Sequence, residues 1–315
     1  MILVTGAAGY VAGFTLQALQ AAGKAAQVRG LIRNPAGAAR VTRWGAMPVT
    51  GDVSDPASLR AAMAGVDVVI HLAAVNRDRG ATTMEAVNAV GTRNVVEAAR
   101  AAGVGRIINL VGLGADEKRP FPLAATQGRG VRAIMESGVP YTVLETSVIF
   151  GPGDEFINTL AGLARIPPVM VVPGDGRTRF QPIAAEDVAA CLVRAMDLPQ
   201  TVNARMQICG DEVLTLEEII DAILEAMALK RAKVHVPAGL LRLPVGIMDA
   251  VLPRPPVTPS LLGMLGVDNT ATDNKTGSVF GVTPRRLRDN LAFTRQMTFG
   301  RLVRRALGKS DARQG

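Results

Sequence analysis

Short apolar runs alternate along this chain with longer stretches whose apolar positions recur at helical spacing. Ile2–Thr5, Val28–Ile32, Met47–Thr50, Val68–Leu72, Arg106–Leu110 and Tyr141–Leu144 have the length and composition of strands. Ala-rich helical stretches lie between them, at Ala12–Ala22, Pro56–Ala64, Met84–Ala102 and Arg129–Ser137. Strands that alternate with helices build βαβ units, and therefore a parallel sheet covered by helices on both faces. Strands buried on both faces read as unbroken apolar runs, as Ile2-Leu3-Val4 and Val68-Val69-Ile70 do. The expected fold class is α/β, a Rossmann-type doubly wound parallel sheet, with a smaller C-terminal α+β lobe.

The rhythm breaks after about Phe150, where Pro and Gly become frequent. Residues 1–150 are expected to form the Rossmann domain, completed by chain at 180–200. Residues 151–315 are expected to form the smaller, partly interleaved lobe. A helix at Ala185–Met196 returns to the main domain. Thr215-Leu216-Glu217-Glu218 is a capping box that opens a helix running to Leu229. Lys233–Val236 reads as a short strand, and the prolines at 253, 255, 256 and 259 exclude regular helix across Pro253–Pro259.

The first strand runs into Thr5-Gly6-Ala7-Ala8-Gly9-Tyr10-Val11-Ala12, and a helix follows. A strand, Gly-rich turn and helix bring free backbone N–H groups and the positive end of the helix dipole to one point, which suits a phosphate. Gly6 permits the tight turn, Gly9 lets a pyrophosphate approach the backbone, and Ala12 is the third small position, where helix packs on sheet. Ala8, Tyr10 and Val11 complete the cradle. The same pattern in isolation would be only a tight turn; its place ahead of βαβ units is what points to a dinucleotide. The end of the second strand separates the cofactors, since an acid there bonds the 2′-hydroxyl of NAD whereas an Arg accommodates the 2′-phosphate of NADP. Here it reads Leu31-Ile32-Arg33-Asn34. Arg33 therefore argues for NADP(H), with NAD(H) disfavoured. Asp52, followed by Val53, either accepts from the adenine amino group or caps the next turn.

Composition changes the picture little. The net charge of +8 fits either an anionic partner or an Arg-rich solvated surface. With 3% aromatic residues, few rings could stack on bases, so nucleic acid is a poor candidate. Cys191 and Cys209 are far from any second Cys or His at ligand spacing, so both read as core residues and no metal site is expected. The chain opens on a strand with no room for a signal peptide, and no apolar run reaches the ~20 residues of a membrane span. The expected location is cytoplasmic, free or peripheral to a membrane.

Taken together, these segments resemble the extended and atypical branches of the short-chain dehydrogenase/reductase superfamily. Thr5–Ala12, Gly51-Asp52, His71-Leu72-Ala73-Ala74, Asn88–Asn94, Ser137–Thr142 and Phe150–Asp154 carry the resemblance. Gly174–Pro182 followed by Glu186-Asp187-Val188-Ala189 is the most specific part. It looks like the subgroup containing the dinucleotide-binding accessory subunit of respiratory complex I, and the likeness covers nearly the whole chain. The resemblance implies that Leu72, Ala73, Ala74, Asn88 and Gln127 line the cofactor. It also implies a Ser after the fifth strand and a Tyr-x-x-x-Lys on the next helix, the set that moves the proton as hydride transfers. Those positions hold Val111 and Gly112, Leu123 and Gln127, and the usual Arg-Pro-Ser after the sixth strand reads Glu145-Thr146-Ser147.

No conventional dehydrogenase or epimerase activity is therefore expected. Glu145 is the one candidate base, against a salt-bridged carboxylate. His71, and by analogy His235, read as hydrogen-bonded core residues. Three functions follow: an NADP(H)-binding protein whose nucleotide is structural or a redox sensor, an atypical NADPH-dependent oxidoreductase, or a subunit of an assembly at a membrane. For the last, Phe299, Leu302, Val303 and Leu307 could share one helical face beside Arg301, Arg304, Arg305 and Lys309. That face suits either an interfacial helix or a closing helix packed on the lobe.

Overall fold

A computed structural model describes residues 1–166, 168–253 and 255–308. Lys309 lies outside the described residues. In chain order the elements are β1 (Ile2–Thr5), α1 (Tyr10–Ala21), β2 (Val28–Ile32), α2 (Ala38–Thr42), β3 (Met47–Thr50), α3 (Pro56–Ala62), β4 (Val68–His71), α4 (Thr92–Ala101), β5 (Arg106–Gly112), α5 (Pro122–Met135) and β6 (Tyr141–Thr146). There follow β7 (Ile149–Phe150), α6 (Phe156–Leu163), β8 (Val169–Pro173), β9 (Arg179–Phe180), β10 (Ile183–Ala184), α7 (Ala185–Ala195) and β11 (Ala204–Ile208). The rest are β12 (Leu214–Thr215), α8 (Leu216–Ala226), β13 (Ala232–Val236), α9 (Ala238–Val251), α10 (Pro259–Met264) and α11 (Phe299–Ala306).

The chain divides into two compact units. The first comprises Met1–Thr146, Ala185–Ile208 and Ala271–Thr283. Its sheet has seven strands in the order β11-β6-β5-β4-β1-β2-β3, all parallel. The order reverses between β1 and β4, which places a crevice at the carboxyl ends of those two strands. All four residues of β1 are buried, as are Val69 and Ile70 of β4, the consequence of helices on both faces. One core packs Leu3, Val69 and Ile107 of the sheet against Leu59, Val95, Val96 and Ile134 of α3, α4 and α5. On α1 and α7, which pack together, Leu16, Leu19, Val188 and Leu192 are buried.

The second unit comprises Ser147–Ala184, Cys209–Thr270 and Pro284–Gly315. Its core gathers Phe150, Ile157, Phe180, Ile219, Ile220, Ile223 and Met297. Thr215 and Glu218 form the expected capping box: Thr215 Oγ1 accepts from Glu218 N at 3.2 Å and Glu218 Oε2 from Thr215 N at 2.8 Å. At the start of α6 the buried Asp154 accepts from Ile157 N at 2.6 Å and from Asn158 Nδ2 at 2.9 Å. Burial pushes its carboxyl up to about 6 despite those bonds.

The stretch Met84–Ala102 is helical as expected, but its first half, Glu85–Gly91, is π-helical and runs without a break into α4. Three expectations need correcting. Helix α5 begins at Pro122, seven residues ahead of the expected Arg129, because Pro at the first helical position costs no hydrogen bond. His235 is no core residue but an exposed one on β13, with Nε2 3.1 Å from Glu217 Oε2. The apolar positions of α11 do not share one environment: Leu302 is buried against Gly162 of α6, while Phe299, Val303 and Leu307 are exposed.

Candidate functional site

The turn after β1 is built around Gly6 and Gly9. Gly6 has φ +66°, and a Cβ there would stand 2.8 Å from the backbone of Ala73 and 2.9 Å from Leu72 O. Leu72 and Ala73 thus pack directly on the turn as its second wall. A Cβ on Gly9 would lie 2.9 Å from Gly6 O, whose carbonyl accepts from Gly9 N at 2.8 Å. Gly9 is therefore required by the turn itself, a role the sequence did not show.

Helix α1 starts at Tyr10 with Gly9 as N-cap, no side-chain cap and no acidic residue in its first turn. The N–H groups of Tyr10, Val11 and Ala12 have no carbonyl four residues back inside the helix. Ala12 is 1% exposed, so the helix sits close on the sheet, and the Tyr10 ring meets Phe14 edge-on at 5.3 Å. A pyrophosphate fits this arrangement: it needs converging N–H donors, the dipole's positive end and no competing carboxylate.

Beneath the turn, His71 fastens β1 to β4. Its Nε2 lies 2.9 Å from Thr92 Oγ1, whose own proton goes to Asn88 O at 2.7 Å. Nε2 must therefore donate, and Nδ1 accepts from Thr5 Oγ1 at 2.7 Å. The same Thr5 oxygen accepts from Leu72 N and Ala73 N at 3.2 and 3.3 Å. Burial pushes the imidazole down to about 4, so it is neutral here. His71 is thus a core residue in the role expected of it, and it fixes the wall of the turn.

At the end of β2, the Arg33 guanidinium is 56% exposed, with Nη1 3.3 Å from Thr82 Oγ1 and Nε 3.9 Å from Asp52 Oδ2. The other Asp52 oxygen accepts from Ser54 N and Ser54 Oγ, both at 2.8 Å. Asp52 therefore does cap the following turn, and only one of its oxygens faces Arg33. Val53 is buried, with its side chain in the core. A second cation went unnoticed in the sequence: Arg40 of α2 donates through Nη1 to Ala8 O at 3.1 Å. The available signal was another Arg on the short helix after β2, seven residues beyond Arg33.

Asn88 is fully engaged. Its Oδ1 accepts from Val75 N at 2.9 Å, and Nδ2 donates to Val75 O at 2.8 Å and Thr126 Oγ1 at 3.3 Å. It positions Val75 in the loop after β4, which begins with Leu72. Gln127 Oε1 accepts from Gly112 N at 3.2 Å at the end of β5. Glu145 is 5% exposed and paired with Arg205, whose Nη2 lies 2.6 Å from Glu145 Oε1 and 2.7 Å from Ala115 O. Beside it Thr146 is buried, and its Oγ1 has no hydrogen-bond partner among the described residues. No group of His, Cys, Asp or Glu among the described residues could hold a metal ion.

Sheet order, glycine turn and capless helix define a dinucleotide-binding α/β protein. The chain belongs to the NAD(P)H-binding family, whose pattern it matches over residues 6–199. It is 24% identical over 193 residues to the mitochondrial NADH dehydrogenase [ubiquinone] 1 alpha subcomplex subunit 9 of Dictyostelium discoideum, covering 61% of this chain and 53% of that one. It is 28% identical over 228 residues to a photosystem II assembly factor of Trieres chinensis (71% and 69% covered). It is 31% identical over 189 residues to a ceramide reductase of Caulobacter vibrioides (60% and 59% covered). The chain thus spans about half to seven tenths of these relatives' lengths. Its fold matches the NADPH complex of an Escherichia coli NADPH-dependent quinone oxidoreductase with a TM-score of 0.75 at 22% identity, covering 93% of this chain and 99% of that one. Among the described residues no helix is long and apolar enough to cross a membrane.

Proposed function

We propose that this chain binds NADP(H) as a structural or redox-reporting ligand and lacks the proton-transfer set of conventional dehydrogenases and epimerases. The observation that carries the reading is the pairing of a capless α1 N-terminus with two guanidinium groups at its rim, Arg33 and Arg40. The helix terminus suits the pyrophosphate and the two cations suit the 2′-phosphate. By the resemblance, Leu123, Gln127, and Val111 or Gly112 take the positions of the Tyr, the Lys and the Ser, and none can transfer a proton. Gln127 instead pins the end of β5. Relatives that include a respiratory-complex subunit and an assembly factor are compatible with a role inside a larger assembly.

A specific observation favours a second reading, an atypical NADPH-dependent reductase. Thr146 sits at the carboxyl end of β6 with a buried hydroxyl that has no partner among the described residues, able to donate to a carbonyl or carboxamide oxygen. A hydroxyl of ordinary acidity stabilises developing negative charge without supplying a proton, so such a reductase would take its proton from water.

The test is to extract the nucleotide from purified protein, then to assay NADPH oxidation with quinones, aldehydes and ketones at high enzyme concentration. Bound NADP(H) without turnover supports the first reading. Robust turnover overturns it in favour of the second, and absence of any dinucleotide affinity overturns both.

A further inference from the structure

Within the first unit, the loop between β4 and the π-helical segment is braced at both ends and folded in the middle. Asn88 holds both backbone groups of Val75, and Asp78 Oδ1 accepts from Met84 N at 2.6 Å. Between these points Arg79 and Thr82 exchange two backbone bonds, Arg79 N to Thr82 O at 2.8 Å and Thr82 N to Arg79 O at 2.9 Å. Gly80 takes the first turn position with φ +52°, the left-handed conformation that such a two-residue turn needs there. The backbone of Thr82 is thus fixed from within the loop. Its side chain meets the end of β2: Thr82 Oγ1 accepts from Arg33 Nη1 at 3.3 Å. The hydroxyl's own proton has no acceptor among the described residues. On its other side, Arg33 Nε faces Asp52 Oδ2 at 3.9 Å. Arg33 Nη2 makes no bond among the described residues.

A hydroxyl with a proton to give, seated against a guanidinium, is a donor pair for an anion. The chemistry selects a phosphate over a carboxylate. A carboxylate has two oxygens, which the fork of one guanidinium satisfies. A phosphate monoester has three strong acceptor oxygens and about two negative charges, so it has use for a donor beyond the fork. Steadying Arg33 would call only for an acceptor, and a carboxylate or carbonyl accepts more strongly than a hydroxyl. A threonine brings a donor as well. When a phosphate oxygen arrives, Thr82 Oγ1 keeps its bond from Arg33 and turns its own proton to the ligand, so no bond within the protein is lost. The guanidinium is already held between Thr82 and Asp52, which lowers the cost of ordering it on binding.

We propose that Thr82 is a specificity-determining residue for NADP(H), its hydroxyl donating to an oxygen of the 2′-phosphate beside Arg33. The inference rests on the NADP(H) reading and adds to it a contact from the loop after β4. The test is isothermal titration of the full chain with NADPH, NADH, 2′,5′-ADP and 5′-AMP. The variants are Thr82→Val, Thr82→Ala and Thr82→Ser, with Thr82→Val also made in the Arg33→Ala background. Thr82→Val and Thr82→Ala are expected to weaken NADPH and 2′,5′-ADP about fivefold, as loss of a hydrogen bond to a charged group at an exposed rim does. NADH and 5′-AMP should bind unchanged, and Thr82→Ser should bind all four like the wild type. In the Arg33→Ala background Thr82→Val should weaken 2′,5′-ADP further, because the loop's own bonds, not Arg33, place the hydroxyl. Thr82 is half-buried with a single side-chain bond, so circular dichroism and Tm should match the wild type. A wild type that binds NADH as tightly as NADPH overturns the nucleotide reading and this contact with it. A wild-type preference that survives both Thr82→Val and Thr82→Ala overturns this contact alone. Equal losses for NADPH and NADH also overturn it, assigning Thr82 to the fold of the loop. So does the absence of any further loss in the Arg33→Ala background, which would leave Thr82 acting only through Arg33.

Discussion

Removing the Arg33 side chain should weaken NADP(H) binding about tenfold and leave NAD(H) binding unchanged. Two unit charges at 4 Å interact by ~1 kcal/mol in water and ~4 kcal/mol at the effective dielectric of a protein rim. Arg33 is 56% exposed and has Asp52 at 3.9 Å, so the low end applies. A charge-assisted hydrogen bond is worth ~1.5 kcal/mol at its lower bound, and ~1.4 kcal/mol is a factor of ten in affinity. Arg40→Ala should cost a similar factor, with one difference. Its guanidinium already bonds Ala8 O inside the phosphate loop, so its removal also loosens the pyrophosphate cradle and weakens NAD(H) somewhat. The double variant should lose less than the product of the two, because both cations serve one phosphate. Isothermal titration with NADPH, NADH, 2′,5′-ADP and 5′-AMP separates these cases, since the truncated ligands isolate the 2′-phosphate. Wild type that binds NADH as tightly as NADPH refutes the assignment. An Arg33→Ala variant with its preference intact places the 2′-phosphate elsewhere.

Three further outcomes are expected. His71, near 4 in the folded protein and 6.5 unfolded, makes folding lose about 3 kcal/mol as pH falls through that window, because the unfolded state binds the proton there; Asp154, raised to about 6, works in the opposite sense. Comparing Tm of wild type and His71→Asn from pH 7.5 to 4.5 isolates the His71 part, and an unchanged difference between the two across that range rules it out. Gly6→Ala should prevent stable folding or lower Tm steeply, since the new Cβ meets backbone at 2.8 Å with φ +66°; a folded variant with wild-type Tm would show that the turn can relax. Glu145→Gln should lower stability by about 1–2 kcal/mol through the stranded half-exposed Arg205 without changing NADPH affinity, and loss of a measurable turnover in that variant would make Glu145 a base instead.

The sheet was legible because its strands are short and set off by turn residues, so strand limits coincide for β1, β2 and β3, and β1 is buried throughout. What escaped was structure held by neighbours rather than by pattern. Ala204–Ile208 became the seventh strand by pairing with β6, although Arg205 and Gln207 interrupt any apolar run. Helix α9 contains Pro244 and two glycines, which argue against helix locally and are outweighed by its inward apolar face. In the candidate site, the turn glycines and Arg33 were named from chemistry that needs particular residues at particular steps. Arg40 did not, because its role depends on α2 turning back over the phosphate loop. The sequence equally could not say that the Asn88 amide and the Gln127 Oε1 bond to the protein's own groups, since hydrogen-bond commitment is a property of the folded neighbourhood.

That commitment bears on what the bound nucleotide can do. A side chain that serves proton transfer must keep a polar atom facing the substrate and exchange a proton there during turnover. Gln127 holds a backbone N–H of β5, Asn88 holds both backbone groups of Val75, and Glu145 holds Arg205. Each of these bonds braces the carboxyl end of the sheet. General acid–base groups contribute ~10²–10⁴-fold, so on the proposed reading hydride transfer would be confined to acceptors that tolerate protonation by water. The binding half of the site keeps its value regardless. A ligand at a hundred times its dissociation constant stabilises the folded state by ~2.7 kcal/mol, a sizeable share of a domain's ~5–15 kcal/mol. If oxidised and reduced nucleotide bind with different affinity, the same linkage turns redox state into a change of stability, with no turnover needed. Thermal melts in saturating NADP⁺ and NADPH read this directly: two distinct shifts support redox reporting, and equal shifts leave the nucleotide a purely structural role.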